Sequence, residues 1–363
     1  VGVGNDGYNT LHWEETLGKN DLVADSTVLK TAIAKAAKPA VRFFESYGDQ
    51  ISGDNAVEIF VHSNVVAVDY NHESGQIDKV YFESHPGLRH EVKAKAYVMC
   101  FGGIENARML LAFNRKHENK LGNQYDNVGR YFMDHPVVRG AYFYAHDPSI
   151  FSLYQSTNLE NRAVLGFLQF REQVLAKEGI TNIRIPLVPI SNYLASDGIS
   201  SHHILKNALS DRELPDHFGA HILNFVKDFD MVAEAISRKQ FGKRLFDHAE
   251  KSETFEMAMM IEQTPHRDNR IRLGDRVDVY GIPKIEIDWE VKAADKDRMW
   301  RSLDLVAGEL GAKSLGRVRL LKERSERIWG DQLGFGHHHM GTTRMSQYAV
   351  SYTHLTLPTR IFV

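Results

Sequence analysis

The densest group of potentially reactive side chains lies in Gly334–Met345, which reads GFGHHHMGTTRM. Histidine is the side chain best suited to take up and return a proton near neutral pH. Glycines on both sides of the histidine run allow the backbone and a flat ligand to approach closely. From the residues alone two interpretations stay open: one histidine acts as a general base, or all three are structural.

A histidine metal site fits this run poorly. In an extended chain successive side chains alternate, so His337 and His339 should face one way and His338 the other. Three such histidines cannot all bind one metal ion, and the sequence names no further ligand. The chain has one cysteine, Cys100, which excludes disulfides and a thiolate zinc site. We therefore assign no metal ligands.

A second informative stretch, AYVMCFGGIENARMLL, covers residues 96–111. It predicts a buried strand that ends at Cys100, a turn at Gly102 and Gly103, and a helix that begins at once. This order suits a nucleotide cofactor at the carboxyl edge of a sheet, but a plain strand–turn–helix without a ligand has the same pattern.

Two further segments contain glycine beside polar residues. The segment 128–136, VGRYFMDHP, predicts a constrained loop in which His135 is functional or hydrogen-bonded in a turn. Gly2–Gly7 matches the spacing of a dinucleotide fingerprint. We reject this match because no strand precedes it and no helix follows it.

Composition restricts the class of protein. The 363 residues are 43% hydrophobic and 25% charged, which is ordinary for a globular protein of about two domains. A net charge of -3 gives no basic field for nucleic acid. No apolar run is long enough to span a membrane. Few cysteines fit the cytoplasm or the periplasm, so the location stays open.

Hydrophobic patterning predicts the elements that position these segments. We expect helices over 28–47 (interrupted at Pro39), 105–114, within 204–248, and over 293–310, where Met299, Leu303, Val306 and Leu310 form one stripe. We expect strands over 57–70, 79–84, 91–100, 137–145, 163–170, 180–189, 255–263, 269–273 and 284–289.

The change in character near Pro136 suggests a domain boundary, with a return to the first domain near Gly334. Residues 1–135 would form one domain, 136–333 a second, and 334–349 the return. The segment 350–363 stands apart: Val350–Thr359, VSYTHLTLPT, resembles the conceptual translation of a sequencing adapter. A genuine short tail is the alternative.

The segments GGIENARMLL, VGRYFMDHP and HHMGTTRM occur in the order seen in the glucose–methanol–choline (GMC) oxidoreductases, and the chain resembles this family over roughly residues 40 to 346. The resemblance extends to IEQTPHRDNRIRL, residues 261–273, and is strongest to the sugar and alcohol dehydrogenases and pyranose oxidase. It implies an α/β fold: a partial Rossmann-like FAD-binding domain and a second, antiparallel-sheet substrate domain.

The resemblance also implies roles for individual residues. Val65 matches a valine whose backbone meets the adenine of FAD, and Cys100, Phe101 and Gly102 match the strand end beside the dinucleotide. Phe101 is bulkier than the alanine usual there. His338 aligns with the family's catalytic histidine and would accept the hydroxyl proton of an alcohol or sugar substrate.

Two parts of the family pattern are missing from this chain: the glycine fingerprint, expected before Val1, and a second catalytic Asn or His, expected after the adapter-like segment. The chain by itself is therefore expected to be inactive. The electron acceptor, whether oxygen, a quinone or a cytochrome, stays open. Two competing functions also stay open: a non-catalytic β-sheet binding module that uses the histidine cluster, and a different FAD enzyme such as a sterol oxidase.

Overall fold

The computed structural model describes residues 21–37, 42–54, 56–148, 154, 157–159, 162–212, 214–250, 254–320 and 333–345. The Gly2–Gly7 match, Pro39 and the adapter-like segment 350–363 lie outside these residues. The chain divides into two compact units, each made of three segments. The first unit contains Val1–Ala40, Val137–Ile261 and Asp297–Gly334; the second contains Val41–Pro136, Glu262–Lys296 and Phe335–Val363.

Helices and strands are mixed along the described residues. In chain order they are β1 (Leu29–Ala37), α1 (Phe43–Ser52), β2 (Asn64–Asn71), β3 (Gln76–His85), β4 (Leu88–Val92), α2 (Gly102–Asn114), β5 (Pro136–Ala145), β6 (Thr157–Leu159), β7 (Arg162–Phe170), α3 (Glu172–Glu178), β8 (Ile183–Ile185), β9 (Leu187–Ile190), α4 (Asn192–Ala195), α5 (Asp197–Asp211), α6 (Phe218–Lys227), α7 (Phe229–Phe241), a 3₁₀ turn (Asp247–Glu250), β10 (Thr254–Ile261), β11 (Arg270–Val277), β12 (Pro283–Asp288), α8 (Ala293–Ala312), β13 (Gly316–Leu320) and β14 (Leu333–Phe335).

The first unit is built on a nine-stranded sheet with the central order β1-β7-β8-β10-β5-β13. Each neighbouring pair along this path is antiparallel. The part of α8 from Asp297 onward contributes to the core of the unit: Met299, Leu303, Val306 and Leu310 are at most 1% exposed and lie in one cluster with the sheet residues. The predicted stripe on this helix and the predicted antiparallel sheet are confirmed.

The second unit contains two small antiparallel sheets, β2-β3-β4 and β11-β12. Helix α2 buries Ala107, Met109, Leu110 and Phe113, and these side chains form one cluster with Ile271 on β11. The helix predicted over 105–114 is confirmed and begins slightly earlier, at Gly102. The mixed α/β class is also confirmed.

The helix predicted over 28–47 is wrong. Leu29–Ala37 forms strand β1, which pairs along its whole length with β7, and a helix begins only at Phe43. The spacing of Val28, Leu29 and Ile33 suits either structure over such a short stretch. Pairing with β7 satisfies the backbone of residues 29–37 and overrides the local pattern.

The buried strand predicted to end at Cys100 is also wrong. Strand β4 ends at Val92, and Val98 is 83% exposed. A strand needs a neighbour to satisfy its backbone, and the described residues provide none for Lys93–Cys100. Strand β2 likewise begins at Asn64, seven residues later than predicted.

No helix among the described residues is long and apolar enough to cross a membrane.

The core of the first unit predicts a specific stability difference. Replacing Leu168, which is fully buried, with alanine should cost about 2–5 kcal/mol of unfolding free energy, because a cavity is left in the sheet core. The same replacement at Leu209, which is 82% exposed, should change it by less than about 0.5 kcal/mol. Urea unfolding of the two variants checks this; equal losses would contradict the assigned core.

Candidate functional site

Two distant segments of the second unit run side by side. The amide of Met133 donates to the carbonyl of Met340, and the amide of Met340 donates to the carbonyl of Met133, each at 3.0 Å. The Gly129 amide donates to the Thr342 carbonyl at 2.8 Å, and the Gly336 amide to the His135 carbonyl at 3.2 Å. This ladder joins VGRYFMDHP to the histidine run, two segments that the sequence analysis singled out separately.

The carboxylate of Asp134 anchors the histidine run. Its Oδ1 accepts the backbone N–H of His135 at 2.8 Å and of His338 at 3.1 Å, and its Oδ2 accepts that of His337 at 3.0 Å. The Nε2 of His339 lies 3.8 Å from Oδ2. Only 4% of this side chain is exposed, and a buried carboxylate is stable only when such donors satisfy it.

Two glycines make the close approach of the segments possible. Gly341 has a φ of +92°, and a Cβ there would overlap the carbonyl oxygen of Tyr131. A Cβ on Gly336 would overlap the imidazole ring of His135. Any larger residue at these two positions would push the segments apart.

The side chain of His338 pairs with that of His135. The Nδ1 of His338 lies 2.7 Å from the Nε2 of His135, and the ring centroids are 4.9 Å apart. His338 is exposed, and no described residue forms a hydrogen bond with its Nε2. A neutral imidazole with its proton on Nδ1 carries a free lone pair on Nε2, which is the arrangement a general base requires.

The other two histidines are placed differently. The rings of His337 and His339 lie 6.4 Å apart, and the ring of His339 stacks on Phe132 at 5.5 Å. His337 has a φ of +58°, so the run is not a regular extended chain. Within the part of the chain that the structure describes, no three His, Cys, Asp or Glu side chains are grouped to hold a metal ion.

The glycine turn before α2 lies beside the histidine run. A Cβ on Gly103 would sit 2.5 Å from the carbonyl oxygen of His339, and the Thr342 hydroxyl donates to the carbonyl of Gly103. Gly102 has a φ of +84°, and a Cβ there would meet nothing within 4 Å. The start of α2 is therefore next to the run, with open space at Gly102.

The remaining predicted cofactor residues differ in their exposure and in their neighbours. Cys100 is exposed, and Phe101, which precedes α2, is 44% exposed. Val65 lies on β2 opposite Phe82, half-buried against the cluster that also receives Ile104 of α2. No described hydrogen bond or ring contact joins Val65 to His338. The roles of these residues stay predictions.

Arg108 fixes α2 to the β11–β12 hairpin. Its guanidinium donates to the carbonyl of Pro283 at 2.8 Å and to the Asp278 carboxylate at 2.5 Å, and it also bonds Glu105. Burial works to lower the pKa of Arg108, but its hydrogen bonds to Asp278 and Glu105 outweigh this and raise it. The bonds of Arg108 therefore hold the start of α2 in position through a charged side chain.

Sequence reasoning missed Asp134 and gave His135 no partner. Both occur in the DHP sequence that ends the VGRYFMDHP segment, so the only local signal was a carboxylate next to a histidine in a glycine- and proline-bounded loop. Their partners lie 203 positions away along the chain, a distance over which spacing carries no information.

No protein-family model and no curated protein matches the chain. Among solved structures it is similar to pyridoxine 4-oxidase from Mesorbium loti, with 13% identity and a TM-score of 0.46 over 88% of this chain and 55% of that one. A formate oxidase from Aspergillus oryzae RIB40, whose FAD modification has been studied, has 13% identity and a TM-score of 0.38 over 80% of this chain and 52% of that one. The chain spans about half the length of these proteins.

Replacing Asp134 with asparagine should loosen the histidine run. The amide group keeps one acceptor oxygen but puts an N–H donor against an N–H of the run, so local stability should fall by about 1–3 kcal/mol. Hydrogen exchange at the amides of His337 and His338 should accelerate. Asp275→Asn, at an exposed position, is the matched control. Unchanged protection in Asp134→Asn would show that the carboxylate does not anchor the run.

Proposed function

We propose that this chain is part of a GMC-type, FAD-dependent oxidoreductase that oxidises an alcohol or sugar hydroxyl, with His338 as the general base. The observation that carries the proposal is that the run bearing the exposed His338, whose Nε2 has no described partner, contacts the glycine turn that starts α2 through the backbone of His339. Proton removal next to a bound redox cofactor needs both features together.

The residues around the turn fit a dinucleotide flavin. Phe101 gives the helix no side-chain cap, and Phe101 and Gly102 are both exposed. The first backbone N–H groups of a helix and the positive end of its dipole attract anionic or hydrogen-bond-accepting groups. The open space beside Gly102 lets such a group approach the backbone. Cys100, Phe101, Gly102 and Val65 are the residues we expect to contact FAD, mainly through their backbone.

In this mechanism the flavin, when bound, supplies the hydride acceptor. His338 receives the hydroxyl proton of the substrate at Nε2, which removes the cost of forming a free alkoxide. Asp134 holds the backbone of His338 through its Oδ1, so the imidazole does not need to be ordered anew for each turnover. This mechanism therefore requires of its substrate only a hydroxyl group on a carbon atom that carries a hydrogen.

Replacing His338 with alanine in the full-length protein should leave FAD bound and slow flavin reduction by substrate about 10²–10⁴-fold, because general-base catalysis contributes that much. Stopped-flow absorbance of the purified variant measures the rate. His85→Ala, at an exposed histidine of the same unit, is the control. Equal reduction rates in wild type and His338→Ala, with FAD retained in both, would remove His338 from the mechanism.

Replacing Gly102 with valine should weaken FAD retention in the full-length protein. Part of any effect is strain, because a β-branched residue is unfavourable at a φ of +84°. Gly87→Val separates the two causes, since Gly87 has a φ of +86° and equally open space but lies in the turn between β3 and β4. Equilibrium dialysis should show weaker FAD binding only in Gly102→Val; equal binding in both variants would refute the cofactor assignment.

A further inference from the structure

The partner of His338 in the structure is a second histidine rather than a carboxylate. We propose that His135 is the positioning residue of the site: its Nε2 accepts a hydrogen bond from Nδ1–H of His338 and thereby keeps Nε2 of His338 free of a proton. This inference rests on the proposed function, because it takes Nε2 of His338 as the base.

The tautomer follows from proton counting. A neutral imidazole carries one N–H, so a histidine that accepts a proton at Nε2 must carry its own on Nδ1. In this structure Nδ1 of His338 is 2.7 Å from Nε2 of His135, a distance at which one of the two nitrogens must donate. His338 is therefore the donor and His135 the acceptor, with the single proton of His135 on its Nδ1.

The hydrogen bond between His338 and His135 becomes stronger when His338 is protonated. Once His338 has taken the substrate proton it is an imidazolium, and its bond to His135 becomes charge-assisted, which is about twice as strong as a neutral one. His135 thus has the same function as the residue that orients the histidine of a hydrolase triad: it fixes the ring and stabilises its charged form.

The surroundings of His135 hold its ring in this position. The ring lies directly against the backbone at Gly336, where any Cβ would overlap it, and the Gly336 amide donates to the carbonyl of His135. The next residue upstream, Asp134, accepts the amides of His135 and His338 on one oxygen. Both members of the pair are thus fixed by one carboxylate, which sets their separation.

Two variants of His135 in the full-length, FAD-loaded protein test the role. Leucine fills a similar space but accepts no hydrogen bond, so flavin reduction at saturating substrate should slow by roughly 10- to 100-fold, as when the outer hydrogen-bond partner of a metal-bound histidine is removed. Glutamine keeps an acceptor oxygen and should recover most of the rate. His85→Leu is the control for the substitution itself. Substrate binding should change little, because His135 acts through His338.

A second measurement does not depend on activity. Nitrogen-15 chemical shifts of the histidine rings distinguish protonated from bare nitrogens, and the His338 signals are assigned by their loss in His338→Gln. In wild type at a pH where His338 is neutral, Nδ1 should be protonated and Nε2 bare; in His135→Leu this pattern should disappear.

The outcomes separate the two proposals. A proton on Nε2 of His338 in wild type would overturn the role of His135. The role would also be overturned if the flavin of His135→Leu is reduced as fast as that of wild type and the chemical shifts are unchanged. If His338→Ala keeps the wild-type rate, the general base is wrong, while the shifts still show which nitrogen of the pair donates. If His135→Leu does not fold, His135→Gln and the wild-type shifts decide the question.

Discussion

The candidate site depends on one buried carboxylate. Asp134 lies 203 positions before His337 in the chain, yet its two oxygens accept the amides of His135, His337 and His338. Removing a carboxylate from water is costly, so the charge is tolerated only because these donors surround it. The same bonds bring the histidine run to a fixed place. Everything proposed for the imidazoles, from their pairing to their exposure, presupposes this arrangement.

The glycines of this site are as important to its geometry as its polar side chains. Gly103, Gly336 and Gly341 each lie where a Cβ would strike a carbonyl group or a ring. Close packing of one backbone against another is what lets the start of α2, the DHP loop and the histidine run occupy the same small region. Protein interiors accommodate extra atoms poorly, so these positions constrain the sequence as strictly as a reactive residue does.

The sequence predicted local features well and long-range partners poorly. Helix α8 and its stripe were predictable because twenty residues repeat one periodicity. Strand β1 was not, because its nine residues adopt their structure through pairing with β7, about 130 residues later. At the site, His338 could be predicted from the residues next to it in the sequence. The roles of His135 and Asp134 became evident only from their contacts in the folded chain. The spacing of residues along the chain does not indicate which distant residues come into contact.

The segment Lys93–Cys100 carries a further implication. Its composition favours a strand, Val98 is 83% exposed, and the described residues offer it no strand to pair with. The hydroxyl of Tyr97 accepts the Ala94 amide and donates to the carbonyl of Asp78 on β3, and the Asn106 side chain donates to the carbonyl of Met99. An exposed extended segment that is not paired with a strand is a template for strand addition by a second molecule. When this chain is produced on its own, self-association should therefore begin at this segment, and a charged residue in place of Val98 should suppress it.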